Sequence, residues 1–425
     1  MLHDPTRHEA LQRTPWDAKQ AQQAINDIVM DTEKSFTPQG DWPQHPLDAD
    51  ADAEAGAELH PGVPPLYYGS CGVFWALHYL QDVGAVTLQR SYHDQADALL
   101  QRNRAWLGDS ADKESASYLM GETPIQMWRF GAAPTEATAA RLLALIAGNI
   151  DHPARELMWG APGTLLAALF LHERTGDERF AELFRATAAK LWSQLEWSEE
   201  FECQYWTQDL YGSPCSHLDA VHGFVATASP LIRGCALLPA ADWAAWQLCI
   251  ENTVQRTATW QGGHVNWRAW LTPPSTQPMF MQYCHGAPGF IICLADLPGS
   301  ALDTLLAAAG EAVWTAGPLK KGSNLCHGTG GNGYAFLKLH ERTGNAVWLE
   351  RARAFAMHGI AQTHAHASEH GQMRHSLWTG DPGFAIYLWD CLRGEAAFPT
   401  LDVFYGGAAI RAASAARAAP ATPAA

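Results

Sequence analysis

The sequence predicts an all-α protein built as a seven-fold α/α toroid, a double-layered barrel of inner and outer helices. Three observations lead there. A Gly-x-x-Gly motif, or a close variant, recurs seven times and is followed each time by an apolar run. The segments between these runs are amphipathic at helical spacing. Apolar residues make up 47% of the 425-residue chain and charged ones 17%, which supplies apolar surface for one large core and excludes disorder throughout.

Residues 1–66 are expected to form an N-terminal helical and loop segment packing on the barrel. Within it, 37–65 is rich in Pro, Asp and Ala and reads as a loop. Its Asp48, Asp50 and Asp52 fit either a divalent-ion site or a solvated acidic loop. The barrel spans 67–404, and 405–425 is an Ala-rich tail expected to fray. The leading glycines of the seven motifs are Gly69, Gly121, Gly160, Gly223, Gly286, Gly328 and Gly380. Their mean spacing of about 52 residues holds two helices and two connections. Glycines ahead of Ala, Leu, Ile and Phe, without the alternation of strands, read as a loop feeding a buried helix. Segments such as Phe180–Trp192, with charges between apolar positions, read as outer helices. Motifs two and four are degraded, with Pro124 and Ala226 in place of the second glycine.

The net charge of −16 argues against a surface for duplex nucleic acid, which needs a cationic stripe. No stretch approaches the roughly 18 apolar residues that span a bilayer, and the start lacks a basic region followed by an apolar one, so the expected location is the cytoplasm. Nine scattered cysteines, an odd number, suggest thiols or metal ligands instead of a disulfide framework.

The chemistry concentrates in motifs five and six. Cys284-His285-Gly286 and Cys326-His327-Gly328 occupy equivalent places 42 residues apart, which makes them neighbours in a toroid. Two thiols and up to two imidazoles at one end of a barrel suit Zn²⁺, although buried cysteines with packing histidines would give the same strings. A closed Cys₂His₂ shell would be structural, and Cys₂His with one open place would admit a substrate; residue types fit both.

The strings QYCHGAPGF and GPLKKGSNLCHGTGGNGYAFLKLHERTG, with the seven-fold motif, resemble the lanthionine synthetase C-like family, especially its glutathione-associated LanC-like branch. The resemblance covers 67–404 and implies the same toroid. It implies zinc on Cys284, Cys326 and His327, and it leaves His285 outside the ligand set. It further implies a thioether-forming enzyme that adds a thiol, glutathione, to dehydroalanine or dehydrobutyrine in a peptide or protein. His222, before Gly223, matches the proposed proton donor, and Glu156 matches an acidic residue that accepts the thiol's proton. Lys321 matches a lysine implicated in handling phosphate, whose elimination would generate the dehydro residue. Ala161-Pro162 and Arg268 depart from the family pattern, where arginine and proline respectively are common. Two other readings fit: a cyclase closing thioether rings in a precursor peptide, and a non-catalytic scaffold binding zinc and glutathione.

Overall fold

Each motif does the same mechanical job. In the computed structural model, which describes residues 1–48, 62–271 and 279–406, the apolar runs form inner helices. These are Ser70–Asp82, Thr123–Ala132, Ala161–Thr175, Phe224–Arg233, Ala287–Leu294, Thr329–Thr343 and Asp381–Arg393. Each packs on the next and the last packs on the first, closing the ring. The second glycine explains the motif. A Cβ on Gly331 would lie 1.9 Å from the Leu325 carbonyl oxygen, and one on Gly383 would lie 1.9 Å from that of Leu377. The loop's backbone therefore rests directly on the first helical turn, a place where no side chain fits. In motif two, Pro124 stands in the first turn of its helix, where its missing N–H costs nothing.

Six outer helices alternate with these along the chain: Ala96–Leu107, Glu136–Gly148, Glu178–Ser193, Ala240–Arg256, Asp303–Ala316 and Ala346–His370. The seventh outer place, against Asp381–Arg393, is filled by Ala18–Lys34 from the N-terminal segment. That helix starts at Asp17, whose carboxylate accepts from the backbone N–H groups of Lys19 and Gln20. It buries Ala21, Ala24, Ile25, Ile28 and Val29, a single helical stripe. The N-terminal segment thus completes the ring instead of merely resting on it.

Helices were the only regular elements expected, yet among the described residues three antiparallel hairpins of three-residue strands also occur. They pair Glu196–Ser198 with Cys203–Tyr205, Gln208–Leu210 with Ser213–Cys215, and Thr259–Gln261 with His264–Asn266. All lie in the two longest intervals between leading glycines, from Gly160 to Gly223 and from Gly223 to Gly286. Chain beyond what two helices need satisfies its backbone groups by pairing with itself.

Aromatic side chains fill the barrel. Tyr283 stacks on Phe398 at 4.7 Å between ring centroids, and Tyr334 meets the same ring at 4.9 Å. Phe398 belongs to a C-terminal stretch held by Tyr118 Oη donating to the Thr400 carbonyl (2.6 Å) and Trp75 Nε1 donating to the Phe404 carbonyl (2.8 Å). Buried Lys338 bridges Asp296 (3.1 Å) and Asp402 (2.9 Å), which fixes this stretch inside the ring. Among the described residues no helix is long and apolar enough to cross a membrane. The expected frayed tail falls on 407–425, outside the described residues.

Candidate metal centre and its acid–base flank

The loops that lead into the inner helices are joined around the barrel axis by backbone hydrogen bonds. Cys284 N–H donates to Cys326 (3.0 Å), Cys326 to Trp378 (2.8 Å), Trp378 to Tyr67 (3.1 Å), and Tyr67 to Leu119 (3.1 Å). Leu119 donates onward to Met158 (3.3 Å), and Leu157 to Val221 (3.2 Å). Equivalent positions in successive motifs are therefore direct neighbours, and the repetition of Cys-His-Gly becomes a spatial cluster. The sulfurs of Cys284 and Cys326 and a ring nitrogen of His327 all lie within 4.8 Å of one another. Tetrahedral zinc would hold two such sulfurs about 3.8 Å apart, given bonds of about 2.3 Å. A two-sulfur, one-nitrogen set within this span has the donor types and the spacing that zinc takes.

The flanking groups address the two sulfurs differently. Tyr67 Oη lies 2.8 Å from Cys326 Sγ, and Gln282 Nε2 donates to Cys284 Sγ at 2.9 Å. Gln282 is itself held by Arg7, whose Nη2 donates to its Oε1 at 2.7 Å. Burial pushes the Cys284 thiol well up, and neighbouring Cys326 adds to this. Burial also opposes ionisation of Cys326, but hydrogen bonds from Cys284 and Tyr67 and the charges of Arg374 and Lys321 outweigh it and lower its pKa. The two sulfurs of the pair are thus shifted in opposite directions.

His285 points elsewhere: its Nδ1 lies 2.8 Å from Asp219 Oδ2. Asp219 is fully buried and also faces His217 Nδ1 at 3.0 Å, while its Oδ1 accepts from the backbone N–H groups of Val221 (3.0 Å) and His222 (2.7 Å). This carboxylate aligns the loop that carries His222. The His222 ring takes a second carboxylate, with Nδ1 2.8 Å from Glu156 Oε2. Glu156 is fully buried, and its oxygens also accept from the backbone N–H groups of Met158 (2.9 Å) and Trp159 (2.6 Å). Burial alone would lower the His222 pKa; Glu156, by hydrogen bond and charge, then Asp219 and Cys284, raise it to about 9. At neutral pH the ring is an imidazolium with Nδ1 committed to Glu156, leaving Nε2 as the free acid position.

Lys321 is exposed, in the loop that leads to Cys326, and lines a narrow cleft with Asn324, Arg374 and Asp381. Arg374 is ion-paired to Asp48, so that carboxylate of the acidic loop serves a guanidinium. Asp50 and Asp52 lie outside the described residues. Tyr67, Gln282, Arg7, Arg374 and Asp219 were not singled out from the sequence. Tyr67 had a signal, since it stands in motif one where closure of the ring brings it beside motifs six and seven. Arg7 and Gln282 are 275 residues apart and carried none.

Comparison with known proteins fits this geometry. The sequence model of the lanthionine synthetase C-like proteins matches residues 60–403. The chain belongs to the lanthionine synthetase C-like family. A zebrafish (Danio rerio) relative named glutathione S-transferase LANCL1 is 34% identical over 131 residues, 29% of this chain and 32% of the relative. The LanC-like protein GCL1 of Arabidopsis thaliana is 42% identical over 86 residues, 18% of each chain. The matched stretches thus span a third or less of these relatives' lengths. Among solved structures, nisin cyclase superposes with a TM-score of 0.58 at 15% identity, covering 92% of this chain and 98% of its own, and shares the α/α toroid.

Proposed function

We propose that this family member is a zinc-dependent transferase that adds the thiol of glutathione to dehydroalanine or dehydrobutyrine residues of a peptide or protein, forming a thioether. The observation that carries the reading is the convergence of Cys284, Cys326 and His327 at the end of the barrel that also holds a carboxylate-charged histidine. Zinc held by those three side chains would keep an incoming thiol as thiolate near neutral pH. The thiolate sulfur bonds to the β-carbon, and the π pair of the double bond moves to the α-carbon. His222 delivers its proton to that carbon and is recharged through water by the proton that the thiol released on becoming thiolate, and Glu156 holds the ring and its charge. Glu156 thus serves as a positioning residue; its buried oxygens are occupied by His222 and two backbone N–H groups, which disfavours its expected role as acceptor of the thiol's proton. Tyr67 and Gln282 orient the two cysteine sulfurs. Lys321 and Arg374, at the cleft beside the Cys326 loop, would receive a leaving phosphate where the dehydro residue arises from phosphoserine or phosphothreonine.

Glutathione is preferred over a peptide cysteine because the relative that shares 34% identity carries the glutathione transferase name. The test is metal analysis combined with incubation of enzyme, glutathione and a dehydroalanine peptide, read by mass. About one zinc per chain and a mass gain of one glutathione that Cys326→Ala abolishes are expected. A gain equally fast with Cys326→Ala would reject the reaction, and ring closure in a cysteine-bearing peptide without glutathione uptake would assign the cyclase chemistry instead.

A further inference from the structure

A second cavity of about 460 Å³ opens on the barrel end that carries the metal cluster. Its walls come from the C-terminus of the outer helix Ala96–Leu107, the short helix Ala111–Glu114, the loop leading into the third inner helix, and the hairpin Gln208–Leu210/Ser213–Cys215. It touches both halves of the site. On one side Trp106 packs edge-on against Tyr68, the neighbour of the Tyr67 that meets Cys326. On the other, Trp159 donates its backbone N–H to Glu156, the partner of His222.

Three aromatic side chains and two carboxylates line this cavity, Trp106, Trp159, Tyr211, Glu114 and Asp209, together with Lys113 and His152, both of which face Glu114. Tyr211 and Gly212 form the two-residue turn of the hairpin with φ of 55° and 77°. That left-handed geometry is unfavourable for a bulky residue, yet it sets the largely exposed Tyr211 against Trp159, whose Nε1 lies 3.0 Å from Tyr211 Oη. Glu114 is engaged by His152 Nε2 at 3.2 Å and, at the rim, by Lys113 at 3.6 Å. Asp209 Oδ1 is buried and has no hydrogen-bond partner, and Glu114 Oε2, with His152 only at ion-pair distance, has none either. A buried carboxylate oxygen without a donor is costly, and aromatic faces beside it favour a cation. In a chain of net charge −16, this pocket asks for a positive guest.

We infer that the Trp106/Trp159/Tyr211/Asp209 pocket is an acceptor subsite that binds the arginine or lysine side chain of the peptide to be modified. The inference rests on the thiol-addition reading for the identity of that peptide, but the pocket's preference for a cation does not depend on the chemistry. The test therefore uses inert peptides with alanine in place of the dehydro residue. Each carries a single arginine at a different distance from that alanine, and each is paired with a copy bearing neutral citrulline. Binding to the zinc-loaded protein is read by fluorescence anisotropy. At the matching spacing, arginine should bind about tenfold more tightly than citrulline, and Asp209→Asn should remove the difference while leaving the affinity for citrulline unchanged. Trp106→Ala should reduce it severalfold. Equal affinities at every spacing, or a difference that survives Asp209→Asn, would overturn the inference. Because the probe reports binding alone, a charge preference without any thioether product would reject the reaction and keep the subsite, and product without a charge preference would do the opposite.

Discussion

Glu156→Gln isolates the electrostatic half of the site. The glutamine keeps the shape and one acceptor oxygen at a fully buried position and removes the charge that holds His222 protonated; its NH2 replaces one of the two oxygens that accept from Met158 and Trp159 N–H, a cost that does not vary with pH. The wild-type ring has a pKa raised to about 9 by Glu156, Asp219 and Cys284 against the pull of burial; His217, 5.5 Å away between ring centroids, and His285 are titratable rings that also face it. At pH 7.5 such a group is about 97% protonated, whereas a ring returned to its ordinary value near 6.5 is about 9% protonated. The acid form falls roughly tenfold, and kcat/KM for thiol addition should fall with it. The basic limb of the pH–rate profile should move from about 9 to 6.5 or below, with NMR titration of the His222 ring following it. Stability supplies an independent check. A histidine whose pKa is raised in the folded state contributes stability that is complete below about 6.5 and disappears as pH rises through about 9. A shift of this size corresponds to roughly 3 kcal/mol. The melting-temperature gap between wild type and Glu156→Gln should therefore be widest at pH 6 and narrow above pH 9 to the constant remainder left by the lost backbone acceptor. A gap independent of pH, with an unmoved basic limb, would refute the pairing as the source of the acid.

The remaining predictions concern the metal and the frame. Cys326→Ala should lose zinc by inductively coupled plasma analysis and retain a helical circular dichroism spectrum, because the toroid is held by apolar packing; a full zinc complement would count against the ligand set. His285→Gln should keep one zinc per chain, since its imidazole faces Asp219 and not the cluster; loss of metal would place His285 among the ligands. Gly331→Ala should destabilise by about 2–3 kcal/mol, because the new methyl meets the Leu325 carbonyl at 1.9 Å and backbone must move. Gly148→Ala, exposed at a helix end with open space around it, should be neutral or stabilising by up to about 1 kcal/mol. Equal denaturation midpoints for the two would disprove the packing role assigned to the second glycine of the motif.

What the sequence disclosed follows from what repetition can carry. The Gly-x-x-Gly runs are legible because a carbonyl seated on a helix admits no Cβ, a demand met at Gly72, Gly163, Gly289, Gly331 and Gly383 alike. Once the ring is granted, Cys284, Cys326 and His327 must converge. Ala18–Lys34 carries no motif, so nothing local marked it as the seventh outer helix; only the vacancy against Asp381–Arg393 could have done so. The hairpins arise from surplus length in two intervals, which spacing hinted at but residue alternation over three positions was too short to reveal. Asp219 is a lone aspartate in Leu-Asp-Ala, and its role as the carboxylate shared by His217, His285 and two backbone N–H groups exists only in three dimensions. Glu156 was picked out by its position before Gly160, but its complete burial and its bond to His222 required the fold.

X-ray absorption at the zinc edge, on zinc-loaded protein with and without glutathione, counts the sulfurs and nitrogens around the ion. Two sulfurs and one nitrogen from the protein are expected, with one further sulfur when glutathione is added. Four protein ligands, or a sulfur count that glutathione leaves unchanged, would contradict this coordination.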